Sequence, residues 1–275
     1  MKDYVCIKIE CTPDIQEILM AIIDDPVIEV YEETEDALLC FLPKLELTPA
    51  KLSEINEQVA SFNLSTEITS IPYVNWNETW EKNFHPIKIE DFVGIRAEFH
   101  PKFNDVEFDL VINPKMAFGT GHHETTSQMI SLMKNKEWYG QNVLDYGCGT
   151  GILGILASKL GAKSVKGNDI TEESIINTIE NCKLNDVSNF EATNGVLEMY
   201  EGQKFDSILA NINRNVLLDS ASQLYDLLQK GGHLYISGYM PEDKKLIEDT
   251  YTSVGFEILE QTQKGYWLCH RLIKQ

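Results

Sequence analysis

No two cysteines in this chain have the Cys-x-x-Cys spacing of a zinc ribbon or a thioredoxin-like redox motif. The six cysteines, at positions 6, 11, 40, 148, 182 and 269, are scattered, several within apolar runs where free core thiols sit. No apolar run approaches the roughly 18 residues of a membrane span. The opening Met-Lys-Asp-Tyr leads into no secretory core. A soluble protein of the reducing cytoplasm is therefore expected. Basic residues are few: 23 Lys and Arg stand against 43 Asp and Glu, a net charge of −20. Such a field repels bare nucleic acid and anionic membranes, so neither is expected to bind directly, and it attracts a basic protein. Internal repeats and low-complexity tracts are absent. With 275 residues, 43% of them hydrophobic, the chain can build one large domain or a medium one with a small companion.

The residues that are present point first to Val143-Leu144-Asp145-Tyr146-Gly147-Cys148-Gly149-Thr150-Gly151, an apolar strand running into alternate glycines before an apolar helix at 152–160. Glycine lets backbone approach a ligand closely, and a helix start presents unpaired N–H groups. The loop reads in two registers. Gly149, Gly151 and Gly154 fit GxGxxG, with Asp169 about 20 residues on, as in dinucleotide sites. Asp145, Gly147, Gly149 and Gly151 fit the Asp-x-Gly-x-Gly-x-Gly of class I methyltransferases that use S-adenosylmethionine (SAM). Charge separates the two, because an acid at the loop repels a pyrophosphate and attracts a sulfonium and an ammonium group. That favours SAM over NAD(P). Asp169 ends a second short strand, where its carboxylate can accept both hydroxyls of a ribose. Thr171 then caps a helix whose apolar face carries Ile175, Ile176, Ile179 and Cys182.

Periodicity divides the chain into residues 1–71, a linker helix at 72–91 and a large domain at 92–275. The first part reads strand 4–10, helix 14–23, strands 27–32 and 37–42, helix 49–62 and strand 66–71. Thr48 caps the second helix and Pro49 takes its first position. This βαββαβ order is that of a ferredoxin-like α+β domain. Trp76, Trp80 and Phe84, four residues apart, mark the linker helix. Beyond it come strands 92–99 and 106–112. Strands at 142–146, 164–169, 205–210 and 233–238 then alternate with helices at 152–160, 172–184, 215–229 and 242–254, and strands 256–262 and 266–274 close a hairpin. The expected fold is thus α/β, a Rossmann-like class I SAM-dependent methyltransferase domain behind a small ferredoxin-like one.

Two further segments carry chemistry. Ala117-Phe118-Gly119-Thr120-Gly121-His122-His123-Glu124-Thr125-Thr126 is a second glycine loop at a helix start. Phe118, Gly119 and Thr120 are placed to lie over a cofactor, with Phe118 shielding the reacting centre from water. His122, His123 and Glu124 are metal-ligand types, but adjacent side chains diverge and HExxH is absent, so no metal is expected. His123 is a general-base candidate by type only. The strand at 205–210 runs into Asn211 at its carboxyl edge, whose side-chain carbonyl can orient an amine nucleophile. The following Ile212-Asn213-Arg214 lacks the Pro-Pro-aromatic that stacks a flipped base, which weakens a nucleic-acid substrate.

These residues resemble the PrmA family, methyltransferases of the eleventh protein of the bacterial large ribosomal subunit. The carrying segments are Trp-x-x-x-Trp-x-x-x-Phe-x-Pro at 76–86, AFGTGxHxTT at 117–126, the loop at 144–153, 210–212, and Ser237-Gly238. The resemblance spans about residues 70–275; over 1–70 it is architectural only. It implies that SAM methylates lysine ε-amines and the N-terminal α-amine of that basic ribosomal protein, which the small domain recognises. It also implies cofactor contacts at Thr126, Gly147, Asp169 and Asn211, with Asn211 as the catalytic residue. The family more usually has Asp-Pro-Gly where this chain has Asn113-Pro114-Lys115, and Leu at Asn213. A monomer is expected. A methyltransferase of nucleic acid or of a small molecule, and an NAD(P)-dependent oxidoreductase, remain the alternatives.

Overall fold

In the structure, a computed structural model, residues 4–23, 25–71, 84–113 and 117–275 are described. Trp76, Trp80, Pro114 and Lys115 lie outside them. The chain divides into two compact units, Met1–Asn83 and Phe84–Gln275. Among the described residues no helix is long and apolar enough to cross a membrane.

The first unit runs β1 (Tyr4–Glu10), α1 (Pro13–Ile22), β2 (Val30–Glu33), β3 (Ala37–Pro43), α2 (Pro49–Ala60) and β4 (Thr66–Ile71). Alternation along β1 buries Val5, Ile7 and Ile9, which pack with Leu19, Leu38, Leu42, Ile55 and Val59 under the helices. The sheet order is β2-β3-β1-β4, antiparallel at every pairing, as expected for the ferredoxin-like fold. Thr48 caps α2 by accepting the Lys51 N–H at 3.2 Å, with Pro49 opening the helix.

The second unit begins earlier than the sequence suggests. Ile87–Ile89 forms a strand, β5, where the linker helix was expected to continue, and it pairs antiparallel with β6 (Val93–Arg96). The Ile-Lys-Ile alternation, with Ile89 buried, suits a sheet edge better than a helix. Strand β7 (Phe108–Val111) lies parallel to β6 and completes a three-stranded sheet.

The main sheet has seven strands: β8 (Asn142–Tyr146), β9 (Ser164–Asp169), β10 (Phe190–Asn194), β11 (Phe205–Asn211), β12 (Leu228–Tyr239), β13 (Phe256–Lys264) and β14 (Trp267–Lys274). Their order is β10-β9-β8-β11-β12-β14-β13. The first five are parallel, and β14 pairs antiparallel with both neighbours. The helices are α3 (Glu124–Met133), α4 (Ile152–Lys159), α5 (Glu172–Leu184), α6 (Arg214–Leu227) and α7 (Lys244–Ser253). Alternate residues of the central strands enter two separate cores. Val143, Leu209 and Tyr235 join one with α3 and α4; Leu144, Ile208, Ala210 and Leu234 join the other with α6 and α7. The strand order reverses at β8 and β11, which opens a crevice at their carboxyl ends.

Three local expectations change. Strand β10 was not foreseen, although it extends the sheet. Helix α5 buries Ser174, Asn177, Thr178 and Asn181 beside Ile175 and Cys182, while Ile176 and Ile179 are exposed. Its asparagines form a ladder: Asn177 Nδ2 donates to the Asn113 carbonyl, Asn181 Nδ2 to that of Thr150, and Asn185 Nδ2 to that of Val111. Buried amides need such partners, so this helix is docked by hydrogen bonds as much as by apolar packing. Finally, β12 begins at Leu228, ahead of the strand expected at 233–238 and within the helix expected at 215–229, and a register shift against β11 absorbs Gly231-Gly232.

Candidate active site

A cavity of about 580 Å³ opens at the carboxyl ends of the parallel strands, within the roughly 300–1,000 Å³ of small-molecule sites. Tyr146, Gly147 and Gly149 line it from the end of β8, Asn168 to Thr171 from β9, and Asn211 to Asn213 from β11. Phe118, His123 and Thr125 come from the second glycine loop and α3, and Trp267 from the hairpin.

The glycine loop is held from within. Gly147 and Cys148 N–H both donate to the Asn168 carbonyl (2.9 and 3.0 Å), and Gly151 N–H donates to that of Cys148 (2.8 Å). Gly149 N–H donates to Asp169 Oδ2 at 3.1 Å. Thr150 N–H donates to the Phe118 carbonyl at 2.9 Å, and Thr150 Oγ1 donates to the Gly119 carbonyl at 2.6 Å. The expectation of free N–H groups aimed at a ligand is thus corrected for these five residues. The glycines have a different reason as well. At Gly149, with φ of +55°, a Cβ would lie 2.3 Å from the Phe118 carbonyl oxygen, so its absence lets the two loops close on each other.

Asp145 is also relocated. It is 1% exposed, lies below the loop rather than at its mouth, and accepts the Gly154 N–H at 2.9 Å. Burial pushes its carboxyl up to about 7, with the neighbouring Asp169 charge acting in the same direction and the Gly154 bond opposing it. Asp169 lines the cavity; its Oδ1 accepts from Thr171 N–H and Oγ1 (3.0 and 3.1 Å). Thr171 stands at the helix start but gives α5 no side-chain cap; its hydroxyl faces Asp169 and Ser174 instead.

Thr126, which is fully buried, accepts from Asn211 Nδ2 at 3.2 Å; Asn211 and not Thr126 forms the cavity wall. Gly119, Thr120 and Gly151 likewise do not line the cavity, and Thr120 Oγ1 is bonded to His122 Nδ1 at 3.0 Å. His123 caps α3, where its Nδ1 accepts the Thr125 N–H. Its ring lies edge-on to Phe118 (5.3 Å) and to Trp267 (4.9 Å). Asn213, at the position where the family more usually has leucine, caps α6 by accepting the Val216 N–H.

Sequence reasoning missed Trp267, Asn168 and Tyr146. Trp267 sits at the hairpin tip opposite Lys264, and the pairing of β14 with β12, which sets Leu268 opposite Tyr239, carries it to the cavity beside Gly238.

The described lining residues include no lysine or arginine, and the loop's N–H groups are already engaged. This wall suits a cationic nucleoside and offers nothing to a pyrophosphate.

The family model for ribosomal protein L11 methyltransferase (PrmA) matches residues 13–275. The chain belongs to this family. It is 42% identical over 249 residues to the ribosomal protein L11 methyltransferase of Porphyromonas gingivalis, covering 88% of this chain and 85% of that one. The Bacteroides fragilis protein of the same name is 35% identical over 267 residues, covering 96% and 95%. A crystal structure of the ribosomal protein L11 methylase of Lactobacillus delbrueckii subsp. bulgaricus superposes with a TM-score of 0.63 at 32% identity, covering 70% of this chain and all of that one. SAM-dependent methylation of ribosomal protein L11, the PrmA activity, is accordingly the activity of this chain, and the oxidoreductase and nucleic-acid alternatives fall away.

Because Asp145 is held above the unfolded value of ~3.9, its protonated form favours the fold. That advantage is complete below about pH 4 and is lost as pH rises through about 7. Asp145→Asn should therefore gain melting temperature relative to the wild type between pH 5 and pH 8 in the absence of ligand. A difference between the two proteins that stays flat over this range contradicts the assignment.

Proposed function

We propose that the chain methylates amines of ribosomal protein L11, lysine ε-amines and the N-terminal α-amine, at the cavity between Asn211 and the Phe118–His123–Trp267 wall. The observation that carries this reading is the tethering of Asn211. With Nδ2 given to Thr126 Oγ1, the amide oxygen is the atom that accepts a hydrogen from the incoming amine and directs its lone pair. When bound, SAM supplies an activated methyl group on a sulfonium, so positioning is the main task left to the protein. Asp169 takes the ribose hydroxyls, and the backbone at Gly147 and Gly149 forms the floor.

A lysine with pKa near ~10.4 is neutral only about once in ~2,500 molecules at pH 7, a cost of about 4.6 kcal/mol. The aromatic wall lowers this cost by desolvating the ammonium as it enters. His123 Nδ1 is engaged at the helix cap, so the ring serves as part of that wall. Asn211→Ala should reduce turnover roughly 100-fold while SAM affinity stays within about threefold. Single-turnover methyl transfer at the wild-type rate would rule out the orienting role.

Recognition of the basic substrate is assigned to the first unit. Residues 1–83 hold 17 acids against 5 bases, which is more than half of the chain's net charge of −20 in under a third of its length. Glu32, Glu33, Glu35 and Asp36 are exposed at the β2–β3 turn. Changing these four to their amides should raise KM for the ribosomal protein several-fold at low salt, with SAM binding unchanged and the difference shrinking as salt is added. An unchanged KM would remove the turn from the recognition surface.

A further inference from the structure

Helix α3 gives Met129, Ile130 and Met133 to the core, yet Gln128 beside them is a polar side chain only 4% exposed. A buried amide is costly unless its groups are bonded. Both ends of Gln128 engage the β13–β14 hairpin. Nε2 donates to the Trp267 carbonyl at 3.1 Å, and because a carbonyl can only accept, the amide has one orientation. Oε1 then accepts from the Thr262 hydroxyl at 3.0 Å. Next to it, Lys264 Nζ donates to Ser127 Oγ at 2.9 Å.

Trp267 lies just past the hold of the main sheet. Strand β12 ends its pairing where Tyr239 stands opposite Leu268, one residue short of Trp267, whose partner is Lys264 on the other arm of the hairpin. A two-stranded tip is marginal in water unless something packs on it. Strand pairing brings Trp267 to the cavity, and Gln128 fixes where its backbone stops. Two residues earlier on the same helix, Thr126 accepts from Asn211 Nδ2. Positions two apart point about 200° from each other round a helix, so α3 reaches β11 with one side and the hairpin with the other. Asn211 and Trp267, which both line the cavity, are thus held by one rigid element.

We propose that Gln128 is a positioning residue for methyl transfer, keeping Trp267 at the spacing from Asn211 that the incoming amine requires. The proposal rests on the amine-binding reading of the cavity, in which Trp267 is part of the wall. Gln128 is not among the described lining residues, so it acts only through the groups it holds. Displacing such a wall group by about 1 Å is enough to lower turnover strongly.

A double-mutant cycle tests it, with turnover counted per SAM-binding site by calorimetric titration so that unfolded protein does not enter. Gln128→Leu should lower kcat for methylation of ribosomal protein L11 about tenfold, with SAM affinity and KM for the ribosomal protein within about twofold. Trp267→Ala should also lower kcat, and adding Gln128→Leu to it should change kcat by less than about twofold. A residue that only steadied the fold would give the same loss in both backgrounds. Gln128→Glu, whose carboxylate keeps the size and the acceptor for Thr262 but loses the donor, should behave like Gln128→Leu and carries the cycle if the leucine variant does not fold. Equal losses of kcat in the two backgrounds, or wild-type turnover in the Gln128 variants, overturn the role of Gln128 and leave the amine reading standing. Wild-type turnover in Trp267→Ala overturns the aromatic wall itself, and the role of Gln128 with it.

Discussion

The donor site depends on one contact between loops. The Phe118 carbonyl accepts the Thr150 N–H and lies where a side chain at residue 149 would begin. Only glycine permits this approach, and the approach joins two segments about 30 residues apart in sequence. From it follow the positions of Phe118 over the cavity, of Thr150 Oγ1 against Gly119, and of the helix start that carries His123, Thr125 and Thr126. Helix α5 reinforces the joint, because Thr178 Oγ1 donates to the Gly149 carbonyl and Asn181 to that of Thr150.

The same arrangement sets the electrostatics. A loop whose N–H groups are engaged by protein acceptors has no anion-binding character left, even though its sequence resembles loops that cradle phosphate. Asp169 stands in the wall and Asp145 is buried behind it, the only carboxylates drawn close to the loop by its hydrogen bonds among the described residues. The field of Asp169 favours a ligand that carries positive charge before methyl transfer and is neutral in that part afterwards, while burial holds Asp145 toward its neutral form. Attraction is thus stronger for the donor than for its demethylated product, which helps the product to leave.

Much of the fold was legible because its elements follow simple periods. Alternation in β1 and β8, the apolar run of α4 and the Thr48-Pro49 start of α2 all point to the observed structure. The asparagine face of α5 was hidden, because period-based reading takes isoleucines for the buried side and Ile176 and Ile179 mislead it. Strand β10 was hidden by its polar residues, since Phe190-Glu191-Ala192-Thr193-Asn194 at a sheet edge lacks an apolar stripe. In the site, Gly147, Gly149, Asp169, Asn211 and Phe118, expected as cofactor contacts, all lie in the cavity wall. Asp145 and Thr126 were named as ligand contacts but stand one layer back, because sequence spacing does not reveal which side of a loop a side chain takes. Trp267 reaches the cavity only through long-range strand pairing, which leaves no local signal.

The joint between the loops is tested most directly by calorimetric titration of SAM into Gly149→Ala and Gly202→Ala. Gly202 also has positive φ, +80°, but a Cβ there meets nothing within 4 Å, so it controls for backbone strain alone. The account predicts that Gly149→Ala loses at least about tenfold in SAM affinity, roughly 1.4 kcal/mol, while Gly202→Ala binds like the wild type. Wild-type affinity in Gly149→Ala would contradict it.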